Sequence, residues 1–236
     1  MSNIENSFKL KLLRMAKHVF FITLLLTVSK FAVGQQMVVD DADITTYRSF
    51  QTEIWYGSID SWVLPAASPF SFLETSIGVG FNSKESFAHN AWLFETKYAP
   101  EFFRVDEHAV SLVTGITTDP GLTFESFYMY APYTREILGN TSLLHVNLGY
   151  ELKNNDGLEH EIFYGIRSDI ELSDRLYLLS EVFTSNLDPP AFQAGVRIIL
   201  LDELLEADIT WGRGMEEGVR APGFNFGLTY TPSPMW

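Results

Sequence analysis

Apolar residues recur at every second position through most of the chain after residue 48. Leu73, Thr75, Ile77, Val79 and Phe81 alternate with Glu74, Ser76, Gly78 and Gly80. Leu144, Val146, Leu148, Tyr150 and Leu152 alternate with His145, Asn147, Gly149 and Glu151. The same period runs through 161–170, 192–200, 205–211 and 224–230. A strand sends successive side chains to opposite faces, so each run predicts a strand with one greasy face and one polar or tiny face. Turn signals punctuate the runs, among them Leu138-Gly139-Asn140, Asn154-Asn155-Asp156-Gly157, Ser173-Asp174, Pro189-Pro190 and Leu201-Asp202-Glu203. The spacing predicts strands over 49–57, 60–67, 71–82, 90–98, 107–117, 124–134, 141–153, 159–171, 175–184, 191–200, 204–212 and 222–232. That is about twelve antiparallel strands, an even number of the kind a closed single-chain barrel uses. Pro65 disturbs the second strand, and Phe127, Tyr128, Met129 and Tyr130 blur the faces of the sixth.

Alternation alone fits two environments. A soluble sandwich points its apolar face inward, whereas a transmembrane barrel points it at lipid and lines a lumen with the polar face. Three features favour the barrel. The polar faces carry Gly, Asn, Ser and isolated charges in place of dense Lys, Glu and Thr. Aromatics stand near strand ends, at Tyr56, Phe81, Tyr98, Tyr150, Tyr177, Trp211 and Tyr230, as suits the two interfaces of a bilayer. Connections alternate in length. The longer ones, near 83–89, 154–158, 185–190 and 213–221, fall on the side opposite the termini. The expected fold is therefore all-β, a single antiparallel transmembrane barrel over 49–236, after a cleavable signal.

The signal is read from residues 1–34. Lys9, Lys11, Arg14 and Lys17 precede an apolar run from Val19 to Val28, and Ala32-Val33-Gly34 supplies small residues before a cut ahead of Gln35. The run is about ten residues, short of the ~20 a helix needs to span a bilayer. Residues 35–48 are then an N-terminal leader.

Charge and composition narrow the picture. The 236 residues carry 16 bases and 30 acids, a net charge of −14. Cleavage removes five bases and one acid and leaves −18. Nucleic acid is excluded as a partner, because its recognition needs a basic face. The absence of cysteine excludes disulfides, thiolate metal sites and a cysteine nucleophile. No cofactor motif occurs. The partners expected are outer-membrane lipid, a small-molecule solute, and the barrel-assembly machinery. The last of these would read the final strand and its terminal Trp236, although Pro232 and Pro234 interrupt the usual pattern there.

With the apolar face outside, the lumen set is Glu53, Glu74, Glu95, Lys97, His145, Glu151, Glu161, Arg167, Asp169, Glu181, Arg197, Glu206 and Asp208. A base on the lipid face would cost ~2–4 kcal/mol at mid-membrane and an acid less, so the lumen is the cheaper address. The set reads two ways: as a cation-favouring or polar-solute path, or as an ion-pair network that seals the bore and holds register. Trp55, Tyr177, Leu179 and Phe183 also fall on the inner set and narrow it. They equally suit a hydrophobic ligand.

Enzyme signals are sparse. An outer-membrane lipid hydrolase would pair a His with a Ser on one strand face. His145 has Asn147 two residues on, His160 has Ile162, and Ser111 lies on the face opposite His108. Asp40-Asp41-Ala42-Asp43 offers carboxylates to a hard cation, or is simply a solvated leader. Met215-Glu216-Glu217-Gly218 reads as an exposed loop tip.

Several segments resemble the outer-membrane barrel family named for the MetA-pathway of phenol degradation. They are Ser142–Leu152, Phe163-Tyr164-Gly165-Ile166, Leu172-Ser173-Asp174-Arg175-Leu176, Leu179-Ser180-Glu181-Val182 and Gln193-Ala194-Gly195-Val196-Arg197. Asp208-Ile209-Thr210-Trp211-Gly212-Arg213-Gly214, Phe224–Tyr230 and Asp40-Asp41-Ala42 complete the set. The resemblance implies a transporter or channel for small hydrophobic compounds and implies no catalytic residue. Passage of small molecules is thus the leading expectation. A structural or binding barrel with a sealed lumen is the alternative, and a hydrolase the third.

Overall fold

The computed structural model describes residues 37–84, 87–139, 141–155, 157–202, 204–216 and 222–235. The expected signal, the first two residues of the leader, Asn140, Asp156, Glu203, most of the 213–221 loop and Trp236 lie outside the described residues. The strands are β1 (Phe50–Gly57), β2 (Asp60–Phe70), β3 (Leu73–Asn82), β4 (Ala88–Tyr98), β5 (Arg104–Val105), β6 (His108–Val110) and β7 (Leu112–Thr118). They continue with β8 (Phe124–Ile137), β9 (Ser142–Asn154), β10 (Leu158–Ser173), β11 (Leu176–Ser185), β12 (Ala191–Leu201), β13 (Leu205–Gly214) and β14 (Gly223–Tyr230). Neighbours pair antiparallel, and β1 pairs with β14, so the sheet closes on itself.

Only Ser111 separates β6 from β7, and both pair with β8 in one register. The break has a simple cause. Ser111 N donates to Pro132 O at 3.1 Å, and proline has no N–H to return. With β6 and β7 counted as one, and β5, which pairs only with β6, left out, the closed barrel has twelve strands. Pro65 acts alike: the β2–β3 pairing skips Leu64 and Pro65 between Val63↔Val79 and Ala66↔Ser76. The last strand stops at Tyr230, short of the expected 232, because Pro232 and Pro234 cannot continue a ladder.

The faces are inverted relative to a water-soluble protein. Leu148 and Ile162 are 61% and 52% exposed, while Arg167 and His145 are 5% and 0% exposed. Ile54, Ile77, Phe94, Ile116, Ile166 and Phe226 share the outer face; Ser76, Asn147, Glu181, Gln193, Asp208 and Asn225 share the inner. In β8 the ambiguity resolves. Ser126, Pro132 and Thr134 are buried inside, with Tyr128 and Tyr130 in phase with them, while Met129 is exposed outside. Tyr177 stands opposite Arg197 and so lies on the inner face, which removes it from the interfacial ring.

Call the end where β1 begins and β14 ends the terminal end. Its connections are two to four residues long, except for 99–107. That segment holds a 3-10 turn at Glu101–Phe103 and then β5, which pairs with β6 where β6 runs on past β4. The longest terminal-end connection therefore breaks the expected alternation of loop lengths. At the opposite end Asp119 closes the β7–β8 connection. Its carboxylate accepts Thr123 N at 2.8 Å, which holds its pKa below the usual carboxylate range.

Candidate functional site: the lumen and its strap

The leader is not solvated. Residues 37–48 form a strap inside the barrel, and its backbone is held in turn by side chains from successive strands. Gln193 of β12 approaches Met37 Sδ at 3.3 Å. Glu181 of β11 accepts Val38 N and Val39 N, both at 2.9 Å, and Arg167 of β10 donates to Val39 O at 2.6 Å. Asn147 of β9, with its amide turned to suit both bonds, accepts Asp40 N at 2.8 Å and donates to Asp40 O at 2.9 Å. Thr134 of β8 accepts Ala42 N at 2.8 Å, Lys97 of β4 donates to Asp43 O at 3.0 Å, and Glu74 of β3 accepts Thr45 N at 2.6 Å. Arg48 N then donates to Ser68 O of β2 at 3.0 Å. The strap needs such partners because a backbone group taken from water unpaired costs about 1–3 kcal/mol. Gly165 leaves it room, since a Cβ there would stand 2.5 Å from Val39 Cγ2.

The charged residues form three groups. Lys97 meets Asp40 at 2.8 Å and Asp41 at 3.8 Å, so the strap acids have wall and neighbouring bases as partners. Asp41 also lies 3.9 Å from Arg167, and Asp43 pairs with Arg104 of β5. These contacts use the carboxylates considered above for a hard cation. Among the described residues no cluster of three or more acids or histidines is arranged to hold a metal.

The second group crosses β9, β10, β12 and β13. Arg167 grips Asp169 through two bonds of 2.8 and 3.0 Å, and Arg197 grips Asp208 through two of 2.8 Å. Asp169 also stands 3.8 Å from Arg197, and Glu206 3.3 Å from it. The third group is Lys153 between Glu151 and Glu161 on β9 and β10. Glu53 and Glu95 join no ion pair among the described residues. Glu53 accepts Gln51 Nε2 at 2.6 Å, and Glu95 accepts the Tyr128 hydroxyl at 2.5 Å.

Thr134, His145 and Asp169 stand in nucleophile–His–acid order, at 2.9 Å and 3.7 Å. Their environment does not suit catalysis. His145 is wholly buried, Arg167 Nη2 donates to His145 Nε2 at 3.3 Å, and the Thr134 oxygen already accepts the strap's Ala42 N–H. Thr134 holds the strap at Ala42, and His145 joins it to the Arg167–Asp169 pair.

Beside the strap a cavity of about 770 Å³ remains, lined by the strap and by residues of all twelve barrel strands. Of the sequence-derived lumen set, Glu53, Glu74, Glu95, Lys97, Glu151, Glu161, Arg167, Arg197 and Glu206 line it. His145, Asp169, Glu181 and Asp208 are buried against the strap or the arginines. Sequence reasoning missed the uncharged inward residues Thr134, Asn147 and Gln193, Lys153, and the strap itself. An inward Asn or Gln on a strand otherwise flanked by aliphatics was the available signal.

A closed barrel with its charges inside and its apolar side chains outside is a barrel of the outer-membrane type. The chain belongs to the family described as Uncharacterised conserved protein UCP029691, whose profile matches residues 21–221. No curated protein matches the chain in sequence. Among solved structures, the COG4313 outer membrane channel from Pseudomonas putida F1 superposes with a TM-score of 0.60 at 10% identity. The match covers 83% of this chain and 99% of that one. The NanC porin superposes with a TM-score of 0.50 at 10% identity, over 80% of this chain and 99% of that one. At these identities the likeness is one of fold.

Proposed function

We propose that the protein is a channel of the Gram-negative outer membrane that passes small molecules through its lumen, with residues 37–48 narrowing the path and residues 1–34 serving as its export signal. The unfilled space beside the strap carries this reading. A barrel serving only as a scaffold fills its interior with side chains, whereas here about 770 Å³ stays open to all twelve strands. The fold shared with an outer membrane channel of Pseudomonas putida F1 supports a channel, and the resemblance to the phenol-degradation family supports small hydrophobic solutes. One observation favours a sealed barrel instead: Lys97, Arg167 and Arg197 are each committed to partners, and the strap crosses the bore. Liposome swelling separates the two. Purified barrel in liposomes is expected to admit small solutes and exclude large ones, and liposomes as tight as protein-free controls would favour the sealed form.

A further inference from the structure

The sector of the lumen between β1 and β4 is unlike the rest, because three of its glutamates make no ion pair among the described residues. Glu53, Glu74 and Glu95 all line the cavity and none makes an ion pair among the described residues. Lys97 lies opposite Glu74 in the β3–β4 register, yet its ammonium is drawn to Asp40 and Asp43 O of the strap. Two residues along the strands from Glu53 and Glu95 stand Trp55 and Leu93, and with Trp62, whose ring is 6.3 Å from that of Trp55, and Leu64 they give the cavity an apolar patch.

A second, independent observation falls in the same sector. Trp55 and Thr45 line the same cavity and are 9% and 6% exposed. Trp55 Nε1 and Thr45 Oγ1 are buried with no hydrogen-bond partner. Buried donors of this kind are costly unless something completes them.

We propose that this sector binds a small organic ammonium ion with an apolar body and a hydrogen-bond acceptor, such as an aromatic amino alcohol. The ammonium donates to the nearer of the Glu53 and Glu95 carboxylates and to the Thr45 oxygen. The body lies on the tryptophan faces, where a cation is attracted as well, and its acceptor takes the Trp55 N–H. The proposal rests on the reading of the lumen as a passage and names a solute class for it. A metal ion fits less well, because no acidic cluster there is arranged around one point.

Calorimetric titration of the full-length barrel in detergent tests it with three compounds that differ in one group. They are 2-amino-1-phenylethanol, the neutral 1-phenylethane-1,2-diol, and the anion mandelate. Saturable one-to-one binding is expected for the amine alone. The double variant Glu53→Gln/Glu95→Gln is expected to weaken it by about tenfold or more, the size of a lost charge-assisted bond. Trp55→Phe, which keeps a ring and removes the N–H, is expected to weaken it several-fold, and Arg175→Ala not at all. Equal binding of the diol or mandelate, no saturable binding of the amine, or unchanged affinity in the double variant overturns the proposal. The comparison of compounds on the unaltered protein stands whether or not the variants fold. A barrel that swells liposomes but binds no amine loses this proposal alone, and one that binds the amine but admits nothing loses the passage alone.

Discussion

Arg167 donates to Asp169, to the Val39 carbonyl and to His145, and all of these groups are buried. Removing one partner of a buried pair strands the other, at about 3–5 kcal/mol. Arg167→Met is therefore expected to lower the unfolding free energy in urea by about that amount, since Asp169 would keep only the longer contacts to His145 and Arg197, 3.7 and 3.8 Å away. Arg175 and Asp202 also form an ion pair, but their side chains are 62% and 71% exposed. An exposed pair contributes about 1 kcal/mol or less, so Arg175→Ala is expected to change little. Equal losses in the two variants would contradict the network. The sequence placed Arg167 and Asp169 on one strand face, two residues apart, which period-two counting reads directly. It did not show that Arg167 also holds Val39, because that bond joins residues far apart in the chain and leaves no local pattern.

At the scale of elements, the strands were legible almost to their ends, because a lipid-facing wall tolerates only apolar residues on its outer side. That requirement is itself testable. Ile166 is 47% exposed on β10. In a water-soluble protein an arginine at such a site would be nearly neutral. In a lipid-facing wall Ile166→Arg is expected to cost ~2–4 kcal/mol, measured by urea unfolding in liposomes. The β6–β7 break was not legible, because Pro132 acts on its neighbour across the ladder. The strap was not legible either. Acid-rich leaders without apolar periodicity are usually solvated, and here the ordering comes from side chains of six strands that grip the backbone. Gly165 offers a handle on it. Gly165→Val would drive a side chain into Val39, and it is expected to expose residues 37–48 to added protease while the barrel keeps its heat-modifiable gel mobility. A strap equally protected in the variant would contradict the packing.

At the scale of the molecule, the acidic balance acquires a location. Twelve strands close a wall whose inner face and strap hold much of the charge, and Lys97, Arg167 and Arg197 are already committed to acids. The inversion of faces was legible from composition and alternation together, since alternation gave two faces and the nature of the polar one chose between water and lipid. Closure was expected from the even strand count, but its register was not legible, since the β1–β14 pairing joins the two ends of the barrel and leaves no local pattern. The extent of the lumen was also beyond reach, since it depends on where the strap runs. The most direct test of a passage is current through single barrels in a planar bilayer, comparing the native protein with one lacking Met37–Arg48. A passage narrowed by the strap gives discrete conductance steps that grow when the strap is removed. No current from either protein, with both correctly inserted, would contradict it.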